Sequence, residues 1–121
     1  MKRGEIWIGA ESGYASKPRP ALIIQSDRYG QAESVITCLI TSHEVNATGR
    51  DYRVALPKTQ ANGLKVDSFV MLDKMVAIPR SKLAKRIGAI ESKKMDELYA
   101  RLVDFLSEWR DSLQKDILPV H

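Results

Sequence analysis

Two short segments contain the side chains with the clearest chemical potential. In Lys17-Pro18-Arg19-Pro20 an arginine lies between two prolines, and in Thr41-Ser42-His43 two hydroxyls and an imidazole follow an apolar run. Each proline fixes its own φ and biases the residue before it towards extended geometry, so the backbone orients Arg19. A guanidinium held in this way can bind a phosphate, and a hydroxyl beside it can take part in proton transfer. The pairing predicts phosphodiester chemistry.

The cleavage of RNA without a metal needs a small set of groups, and these segments contain candidates for each. The 2′-hydroxyl must lose a proton, the 5′-oxygen must gain one, and the non-bridging oxygens need donors. Arg19 is a permanent cation, Thr41 and Ser42 can donate from a strand end, and His43 is the side-chain type that exchanges protons near neutral pH. The alternatives are a solvated surface arginine, hydroxyls that cap the following loop, and a histidine without a role.

Asp73 is a further candidate, because it interrupts the apolar run Val70-Met71-Leu72-Asp73-Lys74-Met75. From the residues alone, it is either a strand-edge carboxylate paired with Lys74 or a carboxylate in an active cleft. Trp7 and Tyr14 could stack on bases, although the alternation of polar and apolar residues around Trp7 favours a position in the core. P-loop, dinucleotide-binding and nucleophile-elbow motifs are absent from the sequence.

Composition restricts the class of protein. A chain of 121 residues is long enough for one domain with its own core and too short for two. No apolar run approaches the roughly 20 residues that span a bilayer, and no apolar signal segment follows Met1. One cysteine, Cys38, and two histidines leave no internal disulfide and no structural zinc site. We expect a cytoplasmic protein without metal or cofactor, whose net charge of +4 suits a polyanionic partner.

The elements that would position these side chains are short strands separated by turns, a pattern typical of a small barrel or sandwich. The predicted strands are Glu5–Ala10, Pro20–Gln25, Ser34–Ile40, Tyr52–Leu56, Asp67–Ile78 (one bent strand or two) and a last strand near Ile87–Ile90. The predicted turns and loops are Ser12–Pro18, Ser26–Gly30, a polar loop through Gly49, Asn62-Gly63 and Ser81–Lys85. The first three-quarters of the chain is therefore predicted to be β structure.

The C-terminal quarter changes to a helical period. Ser92 is a candidate N-cap, and an apolar stripe follows it at three- and four-residue steps. The residues of this stripe are Met95, Leu98, Tyr99, Leu102, Leu106, Trp109 and Leu113. The pattern predicts a helix that covers the open end of the barrel, and a helix that joins two copies of the chain is the alternative.

At these residues the chain resembles the MazF/PemK family of toxins from bacterial toxin–antitoxin pairs. Four segments carry the resemblance in the right order, namely Lys2–Trp7, Lys17–Gln25, Leu39–Ser42 and Asp67–Lys74. The resemblance implies a mainly β fold with a C-terminal α-helix, a small SH3-like barrel of the CcdB/MazF type that spans residues 1–121 as a single domain. It also implies a homodimer and a cognate antitoxin with a flexible acidic tail.

The same resemblance implies an activity and places residues in it. The activity is that of a metal-independent endoribonuclease that cuts single-stranded RNA and leaves a 2′,3′-cyclic phosphate and a 5′-OH. By position, Arg19 takes the role of the family's catalytic arginine and Thr41 that of its catalytic threonine. The candidate RNA-binding residues are Lys17, Ser42, His43, Asp73 and Lys74.

The sequence departs from the family at two places. The loop before Arg19 is short, and Met71 stands two residues before Asp73, where some members have an arginine; this would leave more of the chemistry to Thr41 and His43. Two alternatives use the same fold. One is a CcdB-like gyrase inhibitor, although the end of this chain, Lys115–His121, differs from that of such inhibitors, and the other is an RNA-binding module without catalysis.

Overall fold

The strand and turn pattern of the sequence produces an antiparallel sheet followed by one long helix. The computed structural model describes residues 1–9, 19–42 and 52–117, and of residues 108–117 it describes the backbone only. The elements are β1 (Glu5–Gly9), β2 (Pro20–Ile23), β3 (Ser34–Thr41), β4 (Arg53–Leu56), β5 (Ser68–Pro79), β6 (Leu83–Ala89) and α1 (Ser92–Ile117), with short 3₁₀ turns at Asp27–Tyr29 and Arg80–Lys82. Within these residues the strand order is β4-β5-β3-β2-β1-β6.

The predicted strands are confirmed with ends that differ by one or two residues, except that the last strand begins four residues earlier than predicted. The predicted turn Ser81–Lys85 is shorter than expected, because the 3₁₀ turn ends at Lys82 and β6 begins at Leu83. The segment predicted as one bent strand or two is the single strand β5. Its bend is a break in register, since Cys38 pairs with Met75 whereas Ile40 pairs with Val70. The predicted loops Ser12–Pro18 and 43–50 lie outside the described residues.

The barrel is not closed by a continuous ladder. Within the described residues, β4 and β6 are the two edges of the sheet. The turn after β4 lies against β6 instead, and the amide of Ala89 donates to the carbonyl of Ala61 at 3.0 Å. Gly63 permits this contact because its φ is +71° and a Cβ there would collide with the carbonyl of Ile87. The expected SH3-like barrel is therefore an open sheet whose edges are bridged by a loop.

The main core lies between the sheet and α1. Its buried side chains are Ile6, Leu22, Cys38, Ile40, Val54, Leu56, Val70, Leu72, Leu98 and Leu102. A smaller cluster contains Ile23, Val35 and Leu83, and the partly buried ring of Trp7 packs against it. Trp7, predicted to lie in the core, is therefore at the edge of this smaller cluster and only partly buried. No helix in the described part of the chain is long and apolar enough to span a bilayer.

The predicted helix is present as α1 and packs against the sheet through Leu98 and Leu102. Fewer residues of the predicted apolar stripe are buried than expected. Leu98 is 2% exposed, whereas Tyr99 is 49% and Leu106 50% exposed. The ring of Tyr99 lies under the guanidinium of Arg3, 4.6 Å from the ring centroid. The amide of Met95 donates to the carbonyl of Glu91, which puts Glu91 and not Ser92 at the N-cap position. The side chains of Trp109 and Leu113 lie outside the description.

Candidate active site

Arg19 and Thr41 face each other because of the register between β2 and β3. Ala21 pairs with Leu39 and Leu22 pairs with Cys38, so the same register places Arg19 opposite Thr41. Residues opposite one another in an antiparallel pair present their side chains on the same face of the sheet. Nη1 of Arg19 donates to Oγ1 of Thr41 at 3.3 Å. The strand pairing therefore brings the two predicted catalytic residues together.

The two side chains differ in burial. Thr41 is the last residue of β3 and is only 5% exposed, whereas Arg19 is partly exposed and Ser42 is exposed. Pro20, the first residue of β2, needs no ladder donor there and fixes the chain direction beside Arg19. A separation of 3.3 Å is long for an N–H···O bond. The guanidinium can therefore exchange the Thr41 hydroxyl for a phosphate oxygen at little cost.

Both side chains lie in a cleft of about 620 Å³ at one end of the sheet. The ends of β1 and β3 and the beginnings of β2 and β6 meet there because neighbouring strands are antiparallel. We call this the Arg19–Thr41 cleft. Its lining residues are Ile8, Arg19, Pro20, Ile40, Thr41, Ser42, Gly63, Leu64, Lys65, Val66, Ser68, Lys85 and Ile87.

One wall of the cleft comes from the loop over residues 57–66, and Asn62 organises that loop. Asn62 is 2% exposed, and both polar atoms of its side chain form hydrogen bonds. Its Oδ1 accepts from the amides of Thr59 and Leu64, each at 3.0 Å, and its Nδ2 donates to the carbonyl of Pro57 at 3.0 Å. The residues that follow Gly63 are thereby directed into the cleft.

The structure places the other predicted site residues less closely together. Ser42 lines the cleft, whereas Asp73 and Lys74, farther along β5, are not among its lining residues. The pairing of Asp73 with Lys74 was wrong as a prediction, because Asp73 accepts from Nε and Nη2 of Arg53 at 3.1 and 3.3 Å. Lys17 and His43 lie outside the described residues.

The sequence interpretation missed two cations of the cleft, Lys65 and Lys85. Among the described lining residues, none is acidic, so Arg19 and these two lysines give the cleft a positive potential. The turn signal Asn62-Gly63 indicated a change of direction before Lys65 but could not show which strand the loop approaches. Lys85 was not identified because its segment was predicted to be a turn.

The thiol of Cys38 takes no part in this chemistry. Burial raises the pKa of the Cys38 thiol to about 12, and the negative charge of Asp73 adds to the rise. The thiol is therefore protonated and unreactive near neutral pH. Within residues 1–9, 19–42 and 52–117, no group of three or more His, Cys, Asp or Glu side chains is arranged to hold a metal ion.

Comparison with known proteins gives relatives along nearly the whole chain. Residues 2–106 match the family model described as PemK-like, MazF-like toxin of type II toxin-antitoxin system. The chain is 37% identical over 107 residues to the probable endoribonuclease MazF of Mycolicibacterium smegmatis, which covers 88% of this chain and 96% of that protein. It is 34% identical over 104 residues to endoribonuclease MazF6 of Mycobacterium tuberculosis, covering 81% and 90%.

Solved structures share the fold. A mycobacterial endoribonuclease in complex with its cognate antitoxin superimposes with a TM-score of 0.72 at 17% identity, over 88% of this chain and 95% of that chain. The Mycobacterium tuberculosis toxin MazF-mt6 gives a TM-score of 0.68 at 23% identity, over 85% and 96%. At these identities the likeness shows the fold alone.

Proposed function

The chain belongs to the PemK-like, MazF-like toxin family of type II toxin–antitoxin systems, and we propose that it cuts single-stranded RNA in the Arg19–Thr41 cleft without a metal ion. The observation that carries the proposal is the contact of 3.3 Å between the Arg19 guanidinium and the Thr41 hydroxyl. The contact lies in a cleft without described acidic lining residues, and an RNA phosphate would be attracted there. The names of the curated relatives support an endoribonuclease activity.

In this mechanism the RNA supplies its own nucleophile. The 2′-oxygen attacks the adjacent phosphorus as its proton leaves, the bond to the 5′-oxygen breaks, and that oxygen gains a proton. The products are a 2′,3′-cyclic phosphate and a 5′-OH. Arg19 binds the non-bridging oxygens and stabilises the added negative charge, while the Thr41 hydroxyl donates to one of them. Because arginine stays protonated, it does not remove the 2′ proton.

Proton transfer needs another group, and the sequence places His43 two residues beyond Thr41. The imidazole is the candidate for this transfer. Ser42, exposed at the cleft, is proposed to bind a phosphate oxygen. Lys17, Asp73 and Lys74 remain proposed RNA contacts, with Asp73 and Lys74 acting away from the cleft lining.

The size of the cleft favours a single strand. A volume of about 620 Å³ falls within the range of roughly 300–1,000 Å³ that is typical of pockets for small molecules and cofactors. A single strand can bend so that one linkage and its base enter such a cleft, whereas the bases of a duplex stay paired and stacked.

We propose that an antitoxin regulates this activity, as membership of the toxin family suggests. The same positive cleft would attract an acidic, flexible antitoxin segment that folds as it binds and covers Arg19. One neighbour is described as an endoribonuclease in complex with its cognate antitoxin, and another as a MazE-MazF complex from Deinococcus radiodurans. We propose that this chain also forms a homodimer and acts in the cytoplasm.

The test is cleavage of labelled single-stranded RNA in EDTA, with analysis of the product ends. We expect 5′-OH and cyclic-phosphate ends from the wild type. Arg19→Ala should reduce the rate by about 10³-fold or more, because it removes the charge that stabilises the transition state. Arg28→Ala, which removes an exposed arginine on the 3₁₀ turn Asp27–Tyr29, is the control and should cut normally.

A second pair of variants distinguishes the role of the Thr41 hydroxyl from that of the side-chain volume. Thr41→Val fills the buried position without a hydroxyl and should lower the cleavage rate by about 10²–10³-fold. Thr41→Ser keeps the hydroxyl and should retain most of the activity. Undiminished cutting by Arg19→Ala would remove Arg19 from the mechanism, and RNA binding by the wild type without products would replace the nuclease with a binding module.

A further inference from the structure

We propose that Lys65 and Lys85 form a second phosphate-binding position in the Arg19–Thr41 cleft, for a phosphate next to the one that is cut. The inference rests on the proposed function, because it assigns a further part of the RNA substrate to the same cleft. It gives roles to two residues that the sequence did not single out. Both lysines are exposed and both line the cleft.

The sheet register places Lys85 near Arg19 but not beside it. Ile8 pairs with Pro20 on one side and with Lys85 on the other. With strands about 4.8 Å apart, the backbone of Lys85 is about 10 Å from that of Pro20, the neighbour of Arg19. A lysine has a long flexible stem, so Lys85 can reach the next phosphate along a strand whose scissile phosphate is bound by Arg19.

The adjacent cation, Arg86, provides an internal contrast. Nε of Arg86 lies 3.2 Å from Oε2 of Glu5, so the charge of Arg86 is neutralised, and Arg86 is not among the described residues that line the cleft. Lys85 faces the cleft, and among the described residues neither it nor Lys65 forms an ion pair. Two unneutralised ammonium groups are thus available to a polyanion.

Lys65 belongs to the loop over residues 57–66, and the fold fixes the position of that loop. The Asn62 side chain holds the loop through its bond from the Leu64 amide at 3.0 Å. Gly63 lies so close to Ile87 that only glycine fits. Lys65 therefore belongs to a loop that is seated on β6, the strand that carries Lys85. Because both lysines line the same cleft, we propose that one phosphate bound there is within reach of both flexible side chains.

Apolar side chains beside the two lysines complete the position. Leu64 and Val66 flank Lys65 in the sequence, and both line the cleft together with Ile87. Val66 is 52% exposed, so it offers an apolar surface that a nucleobase or sugar can cover. The lysines would bind the charged linkage, and the apolar wall would contact the nucleoside attached to it.

The test measures phosphate contacts directly through salt dependence. The probe is a fluorescein-labelled single-stranded RNA of mixed sequence, 2′-O-methylated throughout so that it cannot be cut. Its binding constant is measured over a range of salt concentrations. Each lost phosphate contact on a single strand lowers the magnitude of the slope of log K against log salt by about 0.7. Lys65→Gln and Lys85→Gln should each show about this change, and the double variant about twice it.

Lys93→Gln is the matched control, because Lys93 is an exposed lysine on α1 that does not line the cleft. Its slope should equal that of the wild type, and Lys85→Arg, which keeps the charge, should also preserve it. In cleavage assays, Lys85→Gln should raise KM by more than it lowers kcat. Unchanged slopes for both single variants would overturn the inference while leaving the nuclease intact. If the wild type does not cut RNA, the proposed function is wrong, whereas the slopes of the binding assay still test the two lysines separately.

Discussion

At the scale of the residue, the candidate site depends on how the fold positions the hydroxyl of Thr41. Thr41 is 5% exposed and accepts from the guanidinium of Arg19, whereas the next hydroxyl, Ser42, is exposed. A buried side chain at a strand end is held in place by its surroundings, and this pre-orientation lowers the reorganisation needed when charge develops on a phosphate. The buried position therefore suits a catalytic role better than the exposed one.

Glu5 shows the same principle in a structural role and leads to a prediction about pH. Burial by itself raises the pKa of the Glu5 carboxyl, but hydrogen bonds from the Lys2 amide and the Trp7 indole, with the charges of the N-terminus and Arg86, outweigh burial and lower it below 4.5. Because the folded pKa is below the unfolded one, the stabilisation is present above about pH 4.5 and is lost as the pH falls through the folded pKa.

The measurement is the free energy of unfolding of wild type and Glu5→Gln from neutral pH down to about pH 3. We expect the wild type to be more stable at neutral pH and the difference to shrink as the pH falls. Glu33→Gln, the same chemical change at an exposed residue, controls for general charge effects. A difference between wild type and Glu5→Gln that is independent of pH would show that the carboxylate charge is not the cause.

At the scale of the element, the loop over residues 57–66 is the structure that joins the two edges of the sheet. Its order comes from one side chain, Asn62, which satisfies two amides and one carbonyl. Since such groups are costly to bury unpaired, the loop is expected to keep its shape only while Asn62 is present. The loop therefore acts as part of the fold and as a wall of the cleft.

Asn62→Ala tests this dual role. Loss of the side chain leaves two amides and a carbonyl in partly buried positions without their partner, and we expect a loss of about 1–3 kcal/mol in the free energy of unfolding. The variant should also weaken binding of the methylated RNA, because Lys65 would no longer be directed into the cleft. Chemical denaturation and the salt-dependence assay measure the two effects. Full stability with normal RNA binding would contradict the role given to Asn62.

The elements also show what the sequence could and could not predict. Strands β1 to β5 were predictable because their apolar patterns and turn residues are local signals. The beginning of β6 was missed because Leu83-Ala84-Lys85-Arg86 is rich in charge, as an edge strand can be without harm to the core. The pairing of Arg19 with Thr41 was suggested by the residue types and by the resemblance, but no local pattern could establish it, since register is a property of two strands together. The position of Lys65 depends on a contact between distant segments, which no local pattern reveals.

At the scale of the whole molecule, the helix and the strand ends have different roles. Helix α1 covers one face of the sheet through Leu98 and Leu102, while the Arg19–Thr41 cleft lies where strand ends and the 57–66 loop meet. None of the α1 residues whose side chains are described lines the cleft. Packing of the helix should therefore determine whether the protein is folded, and should affect the chemistry of a folded molecule little.

Two adjacent residues of α1 make this separation testable. Leu98 is 2% exposed and Tyr99 is 49% exposed, so they differ in burial while sharing the same helix turn. Leu98→Ala opens a cavity between helix and sheet and should cost about 2–5 kcal/mol, measured by denaturant unfolding. Tyr99→Ala loses mainly its contact with Arg3 and should cost about 1 kcal/mol or less. At a temperature where both variants are folded, each should cut RNA at close to the wild-type rate. A large loss of cleavage by folded Leu98→Ala would mean that the helix and the cleft are energetically coupled, contrary to the division of roles inferred from the structure.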